Sequence, residues 1–246
     1  MFLLETRRLT SKKASLEELQ NGRFIQKTGF ESSYVLTTLG RKLSRVRLVA
    51  LVVDRFISDD EKYGAITLDD GTETMRGKVF VNVKMLEPFN KGDLVEVYGK
   101  IKSYNDETYV MPEILRRAEA DLESLNMIEL KKIYDEQKEL IKKVKEVQKD
   151  TSDMSEIKSI LKDISPIDIE GIIEAQEFLE DVAEETVSKT SDAKEKILEL
   201  ITEDGVDYEE LIKKSGFSEN IVDQTVQDLL ETGICFEPRP GKIKKL

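Results

Sequence analysis

The chain has no histidine, no tryptophan and a single cysteine, Cys235, in 246 residues. It therefore cannot assemble a zinc ribbon, a Ser/His/Asp triad or an intrachain disulfide framework. Cys235 stands among apolar neighbours and reads as a small core residue rather than a nucleophile. Long apolar runs are also missing: none approaches the ~20 residues of a membrane span, and the stretch Met1–Leu4 is too short for a signal peptide. No glycine-rich phosphate loop ending in Gly-Lys-Ser/Thr occurs, and no Gly-x-Gly-x-x-Gly turn follows a strand. Asp69 and Asp70 fall in a hairpin turn, where Asp is favoured for its backbone hydrogen bonds, so they do not mark a metal site. These gaps describe a soluble, intracellular protein with no catalysis, no metal and no cofactor.

Charge is abundant, at 36% of residues with a net value of -12. It is unevenly spread. Residues 1–118 carry 20 Lys+Arg against 17 Asp+Glu, and residues 119–246 carry 18 against 33. A mildly basic first half joined to a strongly acidic second half is the asymmetry of a chain whose parts meet different partners, nucleic acid for one and protein for the other.

The first half reads as β. Five runs, 45–54, 63–69, 74–81, 93–102 and 108–114, are separated by turn signals such as Asp70-Gly71. Five short strands in ~70 residues, with Gly71, Gly77 and Gly99 where tight coiling needs room, suit a small closed barrel of the OB type. After Pro112 the texture changes. Residues 121–149 contain no Gly or Pro, and Leu130, Ile133, Tyr134, Leu140, Ile141, Val144 and Val147 recur at spacings of three and four. This is a long amphipathic helix whose apolar stripe is wide enough to meet other subunits, although docking on its own barrel would also hide it. A short helix to about Lys162 and another from Pro166 follow, then a polar linker at Ser188–Ser191. Three short helices starting near Asp192, Asp207 and Ser218, and a two-stranded tail about Pro240-Gly241, make a winged helix. The fold class is thus α+β multidomain. Its expected parts are an extension and OB-fold barrel over 1–118, an amphipathic assembly helix over 119–150, a helical linker over 151–190 and a winged helix over 191–246.

Strand parity then selects a surface. Met75, Gly77, Val79 and Val81 share one face of the third run, and Arg76, Lys78 and Phe80 share the other. In the fourth run Val95, Val97, Gly99 and Ile101 point inward, leaving Glu96, Tyr98, Lys100, Lys102 and Tyr104 outside. Cations interleaved with rings suit a single nucleic-acid strand, because Lys and Arg track phosphates while rings stack on unpaired bases. Phe80 and Tyr104 are the leading rings, unless they pack under a loop or the N-terminal segment; Tyr63 is a further one. Arg45, Arg47 and Arg55 fall on one face of the first run, either lining the same groove or engaged in ion pairs. Arg41 and Lys42 precede the barrel as flexible phosphate contacts. In the winged helix, 218–231 offers Glu219, Asp223, Asp228 and Glu231 and no Lys or Arg, so duplex DNA is repelled and protein docking is favoured. Arg239, Lys242, Lys244 and Lys245 form a basic rim on the wing.

Tyr34-Val35-Leu36-Thr37-Thr38-Leu39-Gly40 running into Ser44-Arg45-Val46, the stretch Tyr63–Gly71 and the stretch Val97–Tyr104, in the order barrel, long helix, winged helix, resemble the middle subunit of replication protein A. The likeness is to its archaeal form, including replication protein A-associated proteins, and covers about 30–118 and 190–246. The family usually has Pro where this chain has Thr38, and often Gly where it has Ala50. The resemblance implies a heterotrimeric complex that binds single-stranded DNA in replication, repair and recombination, nucleoid-associated in the cytoplasm. It implies stacking by Phe80 and Tyr104, assembly with the other replication protein A subunits through the long helix, and recruitment of replication and repair proteins by the winged helix. The alternatives are an architectural subunit with little DNA contact, a winged-helix transcriptional regulator, and an RNA-binding OB protein.

Overall fold

The computed structural model describes residues 10–246 apart from 30, 106, 203 and 204; for 183–191 and 220 it describes the backbone alone. The chain divides into two compact units, Met1–Gln176 and Glu177–Leu246.

In the first unit the order is β1 (Lys12–Lys13), α1 (Leu16–Gln20), β2 (Arg23–Ile25), β3 (Tyr34–Leu36), β4 (Lys42–Leu43), β5 (Arg45–Ile57), β6 (Gly64–Asp69), β7 (Thr74–Val79), β8 (Leu94–Tyr104), β9 (Glu107–Arg117), α2 (Ala120–Gln148), α3 (Met154–Ile160) and the start of α4 (Pro166–Leu200). The barrel follows the order β5-β6-β7-β9-β8, and β8 closes on β5. That circuit, with β7 and β9 parallel at Gly77 and Val110, is an OB-fold. Closure needs glycine where strands coil most sharply: a Cβ on Gly99 would lie 2.6 Å from the Met111 carbonyl oxygen. Val46, Leu48, Ile66, Leu68, Val95, Val97, Ile101 and Val110 fill the interior, each worth roughly 1.5–3 kcal/mol of burial. Leu16 and Leu19 of α1 join that core, and the Leu16 and Glu17 amides donate to Asp70 Oδ2 and Thr72 Oγ1 at the β6–β7 turn. At the opposite end a 3-10 turn, Val83–Leu86, covers Gly64.

Much of the amphipathic stripe of α2 is met from within the chain, the alternative that its periodicity left open beside assembly with other subunits. Val144 is fully buried, and Leu140, Ile141 and Val147 pack with it on Ile157 of α3, Leu161 and Ile164 of the α3–α4 connection, and Ile169 and Ile172 of α4. Leu130 is buried and Ile133 half-buried. The Tyr134 hydroxyl donates to Glu18 Oε2 at 3.0 Å, and Gln137 Nε2 donates to the Leu39 carbonyl at 2.9 Å. The physical reason is proximity: α3 is tethered to α2 by five residues and presents an apolar face of its own. Gly40 and Gly171 allow the further approach of α4, since a Cβ on Gly171 would stand 2.1 Å from the Gly40 carbonyl oxygen.

The second unit holds the end of α4, then β10 (Val206–Asp207), α5 (Tyr208–Ser215), α6 (Glu219–Glu231), β11 (Cys235–Arg239) and β12 (Lys242–Lys245). Ala193, Ile197, Leu211, Val222, Val226, Leu229, Cys235 and Ile243 form its core. Gly216 (φ 75°) ends α5 in the left-handed region. α4 is one helix through Ser188–Ser191, where the sequence reading places a linker, so Asp192 lies inside it rather than at a cap. Ser and Thr lower helix propensity by only tenths of a kcal/mol each, and no Gly or Pro stands between 172 and 204 to stop the helix.

Candidate nucleic-acid interface

On this circuit β6 and β7 are the second and third barrel strands, the strands whose outer face, with the loops between strands one and two and between four and five, binds oligonucleotides in OB-folds. Directly paired residues build that face in rows. Phe56 lies opposite Ala65, which lies opposite Lys78; Asp54 lies opposite Thr67, which lies opposite Arg76. Phe80, just past β7, is half exposed, at 50%, and meets Tyr63 with ring centroids 5.5 Å apart and tilted by 46°. Tyr63 in turn meets Phe56 at 6.1 Å. The Tyr63 amide donates to Ser58 Oγ at 3.0 Å, which closes the loop that carries the ring. At the other end of the face Tyr104, on the tip of the β8–β9 hairpin, is 68% exposed. Neither leading ring is turned into the core. Arg76 and Lys102 are exposed, and both lack an ion-pair partner among the described residues.

The other cations of the sequence reading are engaged. Lys78 is buried, 2.7 Å from Glu107 Oε2 and 4.6 Å from the centroid of the Tyr109 ring. Lys100 is exposed and lies 3.5 Å from Glu113; Arg45 pairs with the same carboxylate at 2.5 Å. Arg47 pairs with Glu96, which also takes Arg116 and a 2.9 Å hydrogen bond from the Tyr98 hydroxyl. Glu96, expected on an open surface, is therefore fully covered. Burial pushes its carboxyl up, but the hydrogen bonds from Arg116, Arg47 and Tyr98 outweigh it and hold the carboxyl below the ordinary range.

Arg55 does not share a face with Arg45 and Arg47. The pairing of β5 with β6 shifts between Val52 and Asp54, and this bulge reverses parity beyond it. Arg55 then lies opposite buried Ile66 and donates to the Leu86 and Glu87 carbonyls at 3.2 and 2.5 Å. The same bulge brings Phe56 to the outer face, a ring that parity alone missed. Arg41 and Lys42 are not flexible either. Arg41 is buried and grips both Glu18 oxygens at 2.9 and 2.7 Å, and Lys42 lies 2.7 Å from Glu174. Burial raises the Glu18 carboxyl, and burial beside that carboxyl pushes the Tyr134 phenol up to about 12.

The barrel with its exposed rings is an OB-fold, and residues 46–116 match the family described as OB-fold nucleic acid binding domain. No curated protein matches the chain. Among solved structures it is similar to a chain of a replication protein A heterotrimer bound to single-stranded DNA, at 15% identity and a TM-score of 0.43, over 52% of this chain and 98% of that one. It is also similar to the Stn1-Ten1 complex of S. pombe, at 16% identity and a TM-score of 0.38, over 42% of this chain and 79% of that one. The second OB-fold domain of replication protein A from Methanococcus maripaludis shares 25% identity at a TM-score of 0.25, over 31% of this chain and 85% of that one. Among the described residues no helix is long and apolar enough to cross a membrane.

Proposed function

We propose that this chain is a non-enzymatic subunit of a single-stranded-DNA-binding complex of the replication protein A type, acting in replication, repair and recombination. The observation that carries the reading is the open outer face of β6 and β7, with the exposed ring of Phe80 beside it and that of Tyr104 on the β8–β9 hairpin, and with Arg76 of β7 and Lys102 of β8 lacking carboxylate partners among the described residues. The rings stack on unpaired bases and the cations take phosphates, so binding is salt-dependent and weakly sequence-selective. Subunit assembly through α2 falls, in this reading, to Leu125, Met127 and Ile128, apolar side chains left exposed near its start. The winged helix docks replication and repair proteins, because α6 carries acids and no Lys or Arg to meet a duplex. In the test, Phe80→Ala with Tyr104→Ala weakens oligothymidylate binding about 100-fold, at ~1–3 kcal/mol per stacked base, with an unchanged unfolding midpoint. Unchanged affinity would leave the barrel an architectural role.

A further inference from the structure

We infer that the strand path continues past Tyr104 into a second groove, between the β2–β3 connection and the outer side of the β8–β9 hairpin, which takes the phosphodiester backbone of the same single strand. The inference rests on the reading of the barrel as a single-strand binder. One wall of the groove carries Lys27, Ser32 and Ser33, and the other carries Arg45, Lys100 and Lys102. Lys102 of β8 lies opposite Tyr109 of β9, whose ring meets Lys78 of β7, so the groove adjoins the barrel face.

The charge balance favours a polyanion. Four cations line the groove against two carboxylates, Glu31 and Glu113; Arg45 is itself held by Glu113 at 2.5 Å, which leaves Lys27, Lys100 and Lys102 as the cations open to a strand. Both carboxylates hold their lysines loosely: Lys27 is 3.7 Å from Glu31 and Lys100 is 3.5 Å from Glu113, longer than a good charged hydrogen bond. Both lysines are solvent-exposed and their pairs are of small net worth, so each can turn to a phosphate at little cost while Arg45 keeps Glu113. The loop wall is held in shape locally, since the Lys27 amide donates to Ser33 Oγ at 3.1 Å and Gly29 (φ 74°) supplies a left-handed turn. Lys27 also lies 5.9 Å from the centroid of the Tyr34 ring. The groove is a partly open cleft of about 780 Å³, more room than a single phosphate fills.

The test compares oligothymidylates of about 5 and about 16 nucleotides, the range of a single OB-fold footprint, on the full chain. Lys27→Glu with Lys100→Glu lowers affinity for the longer strand about tenfold and reduces its log–log salt slope by about 1.4, two phosphate contacts at ~0.7 each. Affinity for the shorter strand stays within about twofold, which also reports that the variant is folded. Equal charge reversal at Lys142 and Lys145, on α2, controls for net charge and leaves both affinities unchanged. Equal losses at both lengths, or none at either, overturn the second groove while the barrel face stands. Failure of the unaltered chain to bind either strand overturns the function itself.

Discussion

Two sides of one barrel use the same residue types to opposite ends. On the side facing α2 and the N-terminal segment, nearly every cation sits against a carboxylate: Arg41 on Glu18, Lys42 on Glu174, Arg47 on Glu96 and Lys13 on Glu129. Arg76 on β7 and Lys102 on β8 instead face water, as do the rings of Phe80 and Tyr104, and neither cation has a carboxylate partner among the described residues. A cation's role here is decided by the carboxylates that the fold brings to it, not by the strand on which it stands. On the paired side, these ion pairs close the extension on itself and tie it to α2 and α4, and Arg47, 4.0 Å from Glu129, ties the barrel to α2.

The largest effect that would break this contrast is on stability. Arg41→Ala leaves Glu18 buried without its cation, and loss of one partner of a buried pair costs about 3–5 kcal/mol. Urea unfolding should show that loss while oligonucleotide affinity, measured where the variant is folded, changes less than twofold. A large affinity loss without a stability loss would place Arg41 in the interface. A smaller effect concerns acid. Glu96 is held below the ordinary carboxylate range, so its contribution is complete above the unfolded value and is lost as pH falls through the folded one, downward from about 4.5. Glu96→Gln should cost about 2 kcal/mol at neutral pH, less than a fully enclosed pair because Arg116 is exposed. The variant should also flatten the fall in unfolding midpoint below pH 4.5. An equally steep fall would assign the acid sensitivity to other carboxylates.

Much of the architecture was legible in the residues. Alternation gave five strands and the inward set Val95, Val97 and Ile101, the run without Gly or Pro gave α2, and Ser218 and Gly216 marked helix ends. Phe80 and Tyr104 were placed on the outside by parity, and both rings are exposed. What the residues could not reveal were the long-range partners. Arg41 meets Glu18 across 23 positions and Arg47 meets Glu96 across 49, and no local pattern encodes either. The bulge at Val52–Asp54 is equally silent in a β-branched run, so Phe56 was missed and Arg55 misplaced. The stripe of α2 was found correctly as apolar, but periodicity does not say what covers it. The helices that do so arrive later in the chain, at Met154 and Pro166.

The contrast between the two sides is tested most directly by salt titration of single-strand binding in two double variants. Arg76→Ala with Lys102→Ala should shrink the log–log slope by about 1.4, the release of two contacts at ~0.7 each, with stability intact. Lys42→Ala with Arg47→Ala should lower stability and leave the slope where it was. If the second variant flattens the slope and the first does not, the strand runs along the paired side and the account is wrong.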